Sequence, residues 1–146
     1  MPGFWFWLTH YKHLHRLHEQ LFDAIFQDDI QAVQRAIDAG VDLRGLFRSN
    51  EPDPPLLYPA YSGNGKMFRI LMDGGADINQ TGMGDFTPLM AAASSGHAHI
   101  VEMLVDRGAR KDLRDDSGRT ASDYAASCKD DLKRQMVLHA LNTNDN

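Results

Sequence analysis

The chain has 146 residues, of which 42% are hydrophobic and 24% charged, the balance of a single soluble globular domain. Its 20 acidic side chains outnumber the 15 lysines and arginines, so the net charge is −5, which argues against a generic nucleic-acid or anionic-membrane binder. The single cysteine, Cys128, excludes an intrachain disulfide framework and is typical of a reducing compartment.

The N-terminal segment is aromatic and leads into a helical pattern. Residues 1–8 (MPGFWFWL) lack the cationic leader of a signal peptide, and no run approaches the roughly 20 apolar residues that span a bilayer. We therefore expect an intracellular, cytoplasmic protein. From residue 9 to Ile25, apolar side chains recur at helical spacing, which predicts one helix across this region. Residues 1–18 are interpreted as a capping extension, with residues 4–7 covering the open end of the structure.

A histidine cluster in the same extension is the main feature that could indicate a metal site. Tetrahedral zinc needs four ligands, or three and a water, and no cysteine or second well-spaced pair lies nearby. At helical spacing these side chains also spread around much of the helix. A polar flank of an amphipathic helix is therefore the preferred interpretation, and a metal protein is the remote alternative. The cluster consists of His10, His13, His15 and His18.

The rest of the chain repeats at a nearly constant offset. Residues 87–89 (TPL) lie 33 positions after residues 54–56 (PPL), and alanine, glycine and large apolar positions agree at the same offset. Thr87 likewise matches Thr120, 33 positions later. The first unit is offset by 35, from Leu21 to Leu56, and the two extra residues fall in the loop at 45–53. This agreement predicts a stack of repeated units.

The third unit predicts what each repeat looks like. Thr87 can cap a helix that begins at Pro88 and stops at Gly96. A second helix over about residues 99–107 carries a broad apolar stripe, and the alanines at 91–93 let neighbouring helices approach closely. No single unit can bury its own apolar face, so the units are expected to stack.

These segments resemble ankyrin repeats. Residues 87–109 (TPLMAAASSGHAHIVEMLVDRGA) carry the most specific motif, and residues 55–79 (PLLYPAYSGNGKMFRILMDGGADIN) resemble a diverged copy. Residues 21–43 resemble a first repeat, and residues 118–141 resemble a C-terminal capping repeat. The resemblance implies an all-α solenoid of stacked helix–turn–helix units with short finger turns. The expected divisions are the extension (1–18), an ankyrin-repeat domain (19–141) with repeats at about 19–49, 50–82, 83–115 and 116–141, and a disordered tail (142–146).

Several residues depart from the family pattern. Pro59 stands where the family usually has alanine inside the first helix of a repeat, and it removes a backbone donor, so that helix is expected to be short or kinked. Asp85 replaces the usual glycine of the finger turn, and residues 28–29 (Asp–Asp) replace a Gly–His pair. The loop at 45–53 is longer and ends in a stiff acidic edge.

The other candidates for chemistry have structural interpretations. The resemblance implies that His97 bonds backbone groups between loops, and His99, two residues later, is expected to point elsewhere. Residues 63–66 (GNGK) lack the spacing of a phosphate loop, and Cys128 is expected to be small and partly buried. No catalytic residue and no cofactor are predicted. Adjacent carboxylates are interpreted as caps and solvated turns, at residues 28–29, 115–116 and 130–131.

The resemblance implies a non-enzymatic module that binds a partner protein on the concave face of the array. A more specific alternative is a dedicated inhibitor, such as an immunity protein that neutralises a cognate toxin enzyme, which a small acidic chain permits. We expect a partner with a basic surface, neither nucleic acid nor membrane, and a chain that is monomeric when free.

The predicted partner-binding site lies on the finger tips and on the exposed side of each first helix. Tyr61, Met83 and Phe86 do not match the core pattern, so we expect them to be exposed, as aromatic and Met side chains at interface centres are. Acidic residues around them would steer a basic partner. The opposing interpretation is that Phe86 packs its own turn and the acids only solubilise the protein. The predicted site comprises Glu51, Asp53, Tyr61, Ser62, Met83, Asp85, Phe86, Ser94, Ser95, Asp116 and Arg119.

Overall fold

The computed structural model describes residues 16–44 and 53–143, and all the regular structure in these residues is helical. The chain folds as two compact units, Met1–Asp42 and Leu43–Asn146. Within each helix pair, the two helices are joined by a tight turn, as expected of helix–turn–helix repeats. The prediction of an all-α repeat fold is confirmed.

The first unit contains a helix pair. Residues 16–26 belong to the first helix, α1, which crosses the predicted boundary at residue 18, and α2 spans Ile30–Asp38. Asp28 has a φ of +56°, and Asp29 caps α2 by accepting a hydrogen bond from the N–H of Ala32 at 2.9 Å. The Asp–Asp pair therefore supplies the left-handed turn and the cap at the position of the usual Gly–His pair.

The second unit contains three further helix pairs arranged in two layers. The first layer contains α3 (Leu57–Ser62), α5 (Pro88–Ser95) and α7 (Ala121–Ala126), which pack side by side. The second contains α4 (Gly65–Asp73), α6 (Ala98–Asp106) and α8 (Asp131–Asn142), each packed against its partner in the first layer. The α8 helix includes Asn142, beyond the predicted repeat boundary at 141. The fully buried side chains between the layers include Phe68, Leu71, Leu89, Met90, Ile100, Leu104 and Leu141.

The third repeat forms as its sequence predicts. The Thr87 hydroxyl oxygen accepts a hydrogen bond from the N–H of Met90 at 3.2 Å, Pro88 is the first helical residue, and Gly96 ends α5 with a φ of +76°. Residues 91–93, all alanine, are almost completely buried, which allows α5 to contact both α3 and α7 closely. The second helix, α6, begins and ends one residue earlier than predicted.

Pro59 shortens α3 instead of kinking it. In α5 the helix begins at Pro88, whereas α3 begins at Leu57, two residues after the equivalent Pro55. A helix that started at Pro55 would need a hydrogen bond from residue 59 to its carbonyl, and proline has no N–H to donate. The first helical bond is instead the one from Ala60 to the carbonyl of Leu56, at 3.0 Å. The prediction of a short helix is confirmed.

Candidate partner-binding surface

The turn before α5 projects an apolar side chain into solvent. The N–H of Gly82 donates to the carbonyl of Phe86 at 2.9 Å, which closes the turn around the short 3₁₀ segment Met83–Asp85. Gly84 and Asp85 have φ values of +71° and +59°, so aspartate adopts the left-handed conformation that usually requires glycine. Met83 is consequently held at the tip with 89% of its surface exposed.

Hydrogen bonds connect this turn to the turns of the repeats on either side. The N–H of Met83 donates to a carboxylate oxygen of Asp53 at 3.2 Å, and the N–H of Asp116 donates to the carbonyl of Gly84 at 3.0 Å. A side chain on Gly82 would lie 2.4 Å from a methyl group of Leu57, so only glycine allows this close approach. The three successive turns therefore form one continuous surface, which we call the turn edge: residues 53, 82–86 and 115–119.

Asp115 organises the third turn. Only 3% of its side chain is exposed, and its carboxylate accepts hydrogen bonds from the N–H groups of Ser117 (3.0 Å) and Arg119 (2.8 Å) and from the Tyr124 hydroxyl (2.5 Å). The Arg119 guanidinium adds an ion pair at 3.1 Å. These contacts, led by the Tyr124 hydroxyl, hold the pKa of Asp115 below its ordinary value despite its burial. Burial and the bond to Asp115 raise the pKa of Tyr124.

Two aromatic rings form the wall beside Met83. Phe86 and Tyr124 pack edge to face with their ring centroids 5.1 Å apart, and the Arg119 guanidinium lies 4.5 Å from the centre of the Tyr124 ring. Phe86 is half-buried in this arrangement. The sequence predicts an exposed Phe86, whereas the ring is half-buried because Tyr124, which stands at the position equivalent to the small Ala91, packs against it.

A cavity of about 240 Å³ opens on the turn edge between these groups. Its walls combine apolar side chains with three carboxylates and one guanidinium, so it offers both an apolar contact and an excess of negative charge. The lining residues are Asp53, Leu57, Met83, Gly84, Phe86, Asp115, Asp116, Arg119 and Tyr124.

The structure brings together only part of the predicted site. Asp85 lies exposed in the same turn as Met83, whereas Glu51 is outside the described residues. Four others lie at the C-terminal ends of α3 and α5, the helix ends opposite the turn edge: Tyr61, which is 63% exposed, together with Ser62, Ser94 and Ser95. The predicted residues that line the cavity are Asp53, Met83, Phe86, Asp116 and Arg119.

Four lining residues were not part of the predicted site: Leu57, Gly84, Asp115 and Tyr124. Asp115 was interpreted as a solvated turn residue, and Leu57 and Tyr124 were not considered for the site. Tyr124 is the residue from which the sequence could have predicted this part of the site. It stands at the position that carries alanine in α5, and a bulky ring there has to displace or cover a neighbouring side chain.

Two histidines connect the third repeat to the second. The Nε2–H groups of His97 and His99 donate to the carbonyls of Tyr61 and Gly63, each at 3.1 Å. The interpretation of His97 as structural is confirmed. The expectation that the two rings point different ways is wrong. Their centroids are 5.9 Å apart, because His97 precedes the first helical residue of α6 and the two histidines are therefore not both on the helix. Burial is the main cause that lowers the pKa of His97, and the charges of His99 and Lys133 add to it.

The remaining histidines give no metal site that the structure describes. His18 is buried and lies 3.1 Å from the carbonyl of Asp42, whereas His10, His13 and His15 lie outside the described residues. Between residues 16 and 44 and between 53 and 143, no three His, Cys, Asp or Glu side chains are placed to hold a metal ion. In the same parts of the chain, no helix is long and apolar enough to cross a membrane.

Comparison with known proteins places these repeats in a recognised group. Residues 80–145 match the profile described as ankyrin repeats (3 copies). The E3 ubiquitin-protein ligase hecd-1 of Caenorhabditis elegans is 36% identical over 123 residues, 84% of this chain and 4% of that protein. The E3 ubiquitin-protein ligase Ufd4 of Drosophila melanogaster is 32% identical over 123 residues, with the same coverage of 84% and 4%. The ankyrin repeat and KH domain-containing protein 1 of Homo sapiens is 32% identical over 99 residues, 66% of this chain and 4% of that protein. The chain thus spans about 4% of the length of these three relatives.

Proposed function

Because this chain is an ankyrin-repeat protein, a class whose members generally mediate protein–protein interactions without enzymatic activity, we propose that it binds a partner protein through the turn edge. The observation that carries the proposal is Met83, a large apolar side chain that is 89% exposed on a turn held by hydrogen bonds to both neighbouring turns. A fixed apolar side chain loses little freedom on binding, so it can serve as an anchor. The proposal assigns this edge to the concave face of the array, as the resemblance to ankyrin repeats implies.

The charge around Met83 favours a basic partner. Asp53, Asp85 and Asp116 are exposed beside it, whereas the Arg119 guanidinium is paired with the buried Asp115. The edge therefore carries excess negative charge, as does the whole chain at −5. Such a surface accelerates association with a positively charged partner. The proposal also keeps Tyr61, Ser62, Ser94 and Ser95, along the first-layer helices, as predicted contacts. Glu51, which lies outside the described residues, is kept as a predicted contact as well.

The test is photo-crosslinking from a defined position on the edge. A photoreactive residue replaces Met83 in one variant and the exposed Glu102 of α6, which lies in the second layer, in a matched control. We expect a cross-linked product from position 83 in a lysate of the source organism and none of the same mass from position 102. Equal yields of that product from both positions would contradict the proposal.

The consequence of binding is measured once the partner is known. If the partner is an enzyme, titrating the chain against its activity tests the more specific role of a dedicated inhibitor. Loss of partner activity with a stoichiometric end point supports inhibition, and unchanged activity in the complex argues for a binding role alone.

A further inference from the structure

The methionines of the second unit differ sharply in how much of each side chain reaches solvent. Six of the seven methionines of the protein lie in the described parts of the chain. Met67, Met72 and Met90 belong to the core, and none of them exposes more than 7% of its surface. Met83 is the opposite extreme, with 89% exposed at the tip of its turn. Because a dissolved oxidant has to reach the thioether sulfur, the fold leaves Met83 far more open to oxidation than the core methionines.

The other two described methionines are less open than Met83. Met103 on α6 is half-buried, and a guanidinium N–H of Arg69 donates to its sulfur, with 4.0 Å between the nitrogen and the sulfur. Met136 on α8 is 58% exposed. The structure therefore predicts that peroxide oxidises Met83 first, then Met136, then Met103, and the buried methionines last.

We propose that oxidation of Met83 to methionine sulfoxide is a reversible switch of the partner complex, an inference that rests on the proposed function. The oxidant is hydrogen peroxide. The sulfur lone pair attacks one peroxide oxygen, an S–O bond forms, and the O–O bond breaks. The proton of the transferred oxygen moves to the departing hydroxide, which leaves as water, so the sulfur is oxidised and the peroxide is reduced. Methionine sulfoxide reductases reverse the oxidation.

The oxidised side chain is a poor anchor. A thioether packs well against apolar groups, whereas the sulfoxide is polar and carries a hydrogen-bond acceptor. Burying that oxygen against the partner without a donor costs free energy. The carboxylates of Asp53 and Asp116, which line the same cavity as Met83, add negative charge and supply no donor when ionised. Oxidation should therefore weaken the complex.

Oxidation should leave the turn itself intact. The Met83 side chain is in solvent, and its residue holds the turn through the backbone N–H, which donates to Asp53 at 3.2 Å. The next link joins the N–H of Asp116 to the carbonyl of Gly84. An oxygen added to the exposed sulfur changes neither hydrogen bond. The modified protein therefore keeps its fold, and reduction can restore the anchor.

Peptide mapping by mass spectrometry tests the modification site without any partner. The intact protein is treated with increasing concentrations of hydrogen peroxide, and the sulfoxide content at each methionine is measured. We expect Met83 to be oxidised severalfold faster than Met103, and the buried methionines to react only after unfolding in urea. Oxidation of Met83 in the folded protein no faster than that of Met103 would overturn the proposal.

Substitution by leucine separates Met83 from the other methionines, because leucine keeps a similar apolar volume and has no sulfur. Each protein is treated with peroxide, freed of it, and titrated against the partner identified by cross-linking from position 83. Wild type and the control Met136→Leu should both lose affinity by about tenfold or more, and a methionine sulfoxide reductase should restore it. Met83→Leu should bind equally well before and after treatment.

Two results would reject the switch. If peroxide weakens binding by Met83→Leu as much as binding by the wild type, another residue is responsible. If the wild type binds equally well with Met83 fully oxidised, the complex tolerates the sulfoxide. Absence of a cross-linked product from position 83 would refute the proposed function and the switch with it, while the peptide map would still decide whether Met83 is the oxidised residue.

Discussion

At the scale of single residues, Asp115 determines the shape of the third turn and the wall of the cavity. Its carboxylate is buried and charged, a costly combination that is tolerated because backbone N–H groups, a hydroxyl and a guanidinium all donate to it. One of those donors, Tyr124, also covers Phe86. A single carboxylate thus fixes both aromatic side chains of the turn edge.

The contribution of the Tyr124 hydroxyl can be isolated with Tyr124→Phe. The ring and its packing on Phe86 remain, but the hydrogen bond to Asp115 is lost, so the free energy of unfolding should fall by about 1 kcal/mol. Urea unfolding measures the change. Tyr61→Phe is the matched control, since Tyr61 is 63% exposed and its loss of a hydroxyl should be neutral. Equal effects of the two substitutions would contradict the assignment.

The same pair of residues predicts a change in acid stability. The pKa of Asp115 is lowered from its ordinary value of 3.8, so its contribution to stability is present above about pH 4 and is lost as pH falls through the lowered value. The Tyr124 hydrogen bond is the largest cause of the lowering, so Tyr124→Phe should lose less stability than the wild type between pH 5 and about pH 2. Thermal unfolding across this range tests it, and parallel curves for the two proteins would refute it.

Met83 can be tested as the anchor of the partner complex with Met83→Ala. Because the side chain is 89% exposed, the substitution should leave the free energy of unfolding unchanged while weakening partner binding by about 2 kcal/mol. Met136→Ala on α8 removes an equally flexible methionine that is 58% exposed and should leave the affinity unchanged. Isothermal titration with the partner identified by cross-linking gives the affinities of both variants, and urea unfolding gives the free energy of unfolding.

At the scale of elements, two helices of the first layer differ in length. The α3 helix has 6 residues, whereas the corresponding α5 has 8, because Pro59 cannot supply the hydrogen bond that would extend α3 toward its N-terminus. Pro59 is the third residue of α3, among the first-turn positions whose N–H groups have no partner within the helix. The helix is therefore shortened at its start and continues regularly afterwards.

Hydrogen exchange should reveal the weaker helix. Amides of residues 60–62 in α3 are expected to exchange before those of residues 93–95 in α5. A short helix has fewer hydrogen bonds that must break when it opens. In a repeat array each unit contacts only its neighbours, so the stability of the other units does not compensate for a weak one. Exchange monitored by NMR at neutral pH provides the comparison. Equal or slower exchange in α3 would show that packing compensates for the missing turn.

The histidine contact between repeats predicts a second, milder pH dependence. The pKa of His97 is lowered below its ordinary value of 6.5, so the folded state favours the neutral ring. Its contribution to stability is therefore complete above pH 6.5 and declines as pH falls toward the lowered pKa. His97→Gln should reduce the loss of stability between pH 7.5 and about pH 5.5 in urea unfolding. A pH dependence that His97→Gln leaves unchanged would contradict this prediction.

At the scale of the whole molecule, the sequence predicts the fold better than the site. Apolar, alanine and glycine positions recur at offsets of 33 and 35 because every repeat has to bury the same face, so α5 and α6 could be placed to within one residue. The turn edge depends on contacts between residues of different repeats, such as Asp116 to Gly84 and Phe86 to Tyr124. A periodic pattern reveals only the features that all repeats share. These contacts differ from one repeat to the next, so the pattern does not predict them.

The charge of the turn edge should govern the rate of association. Asp53→Asn and Asp116→Asn remove charge, and asparagine at 53 keeps an oxygen that can accept the bond from Met83. We expect slower association with a basic partner and a weaker dependence on salt, with little change in dissociation. Stopped-flow mixing at several ionic strengths measures both rates. A change confined to dissociation would mean that these carboxylates contact the partner directly.

The two hydrogen bonds that connect the turns differ in which substitutions they allow. The link from Asp116 to Gly84 joins backbone atoms, so the side chain at 116 can vary without disturbing the alignment of its turn. The link from Met83 ends on the side chain of Asp53, so position 53 has to retain an acceptor of similar length. A library built to change the specificity of this protein should therefore randomise positions 83 and 116 to every residue except proline, which has no N–H to donate, and restrict position 53 to aspartate and asparagine.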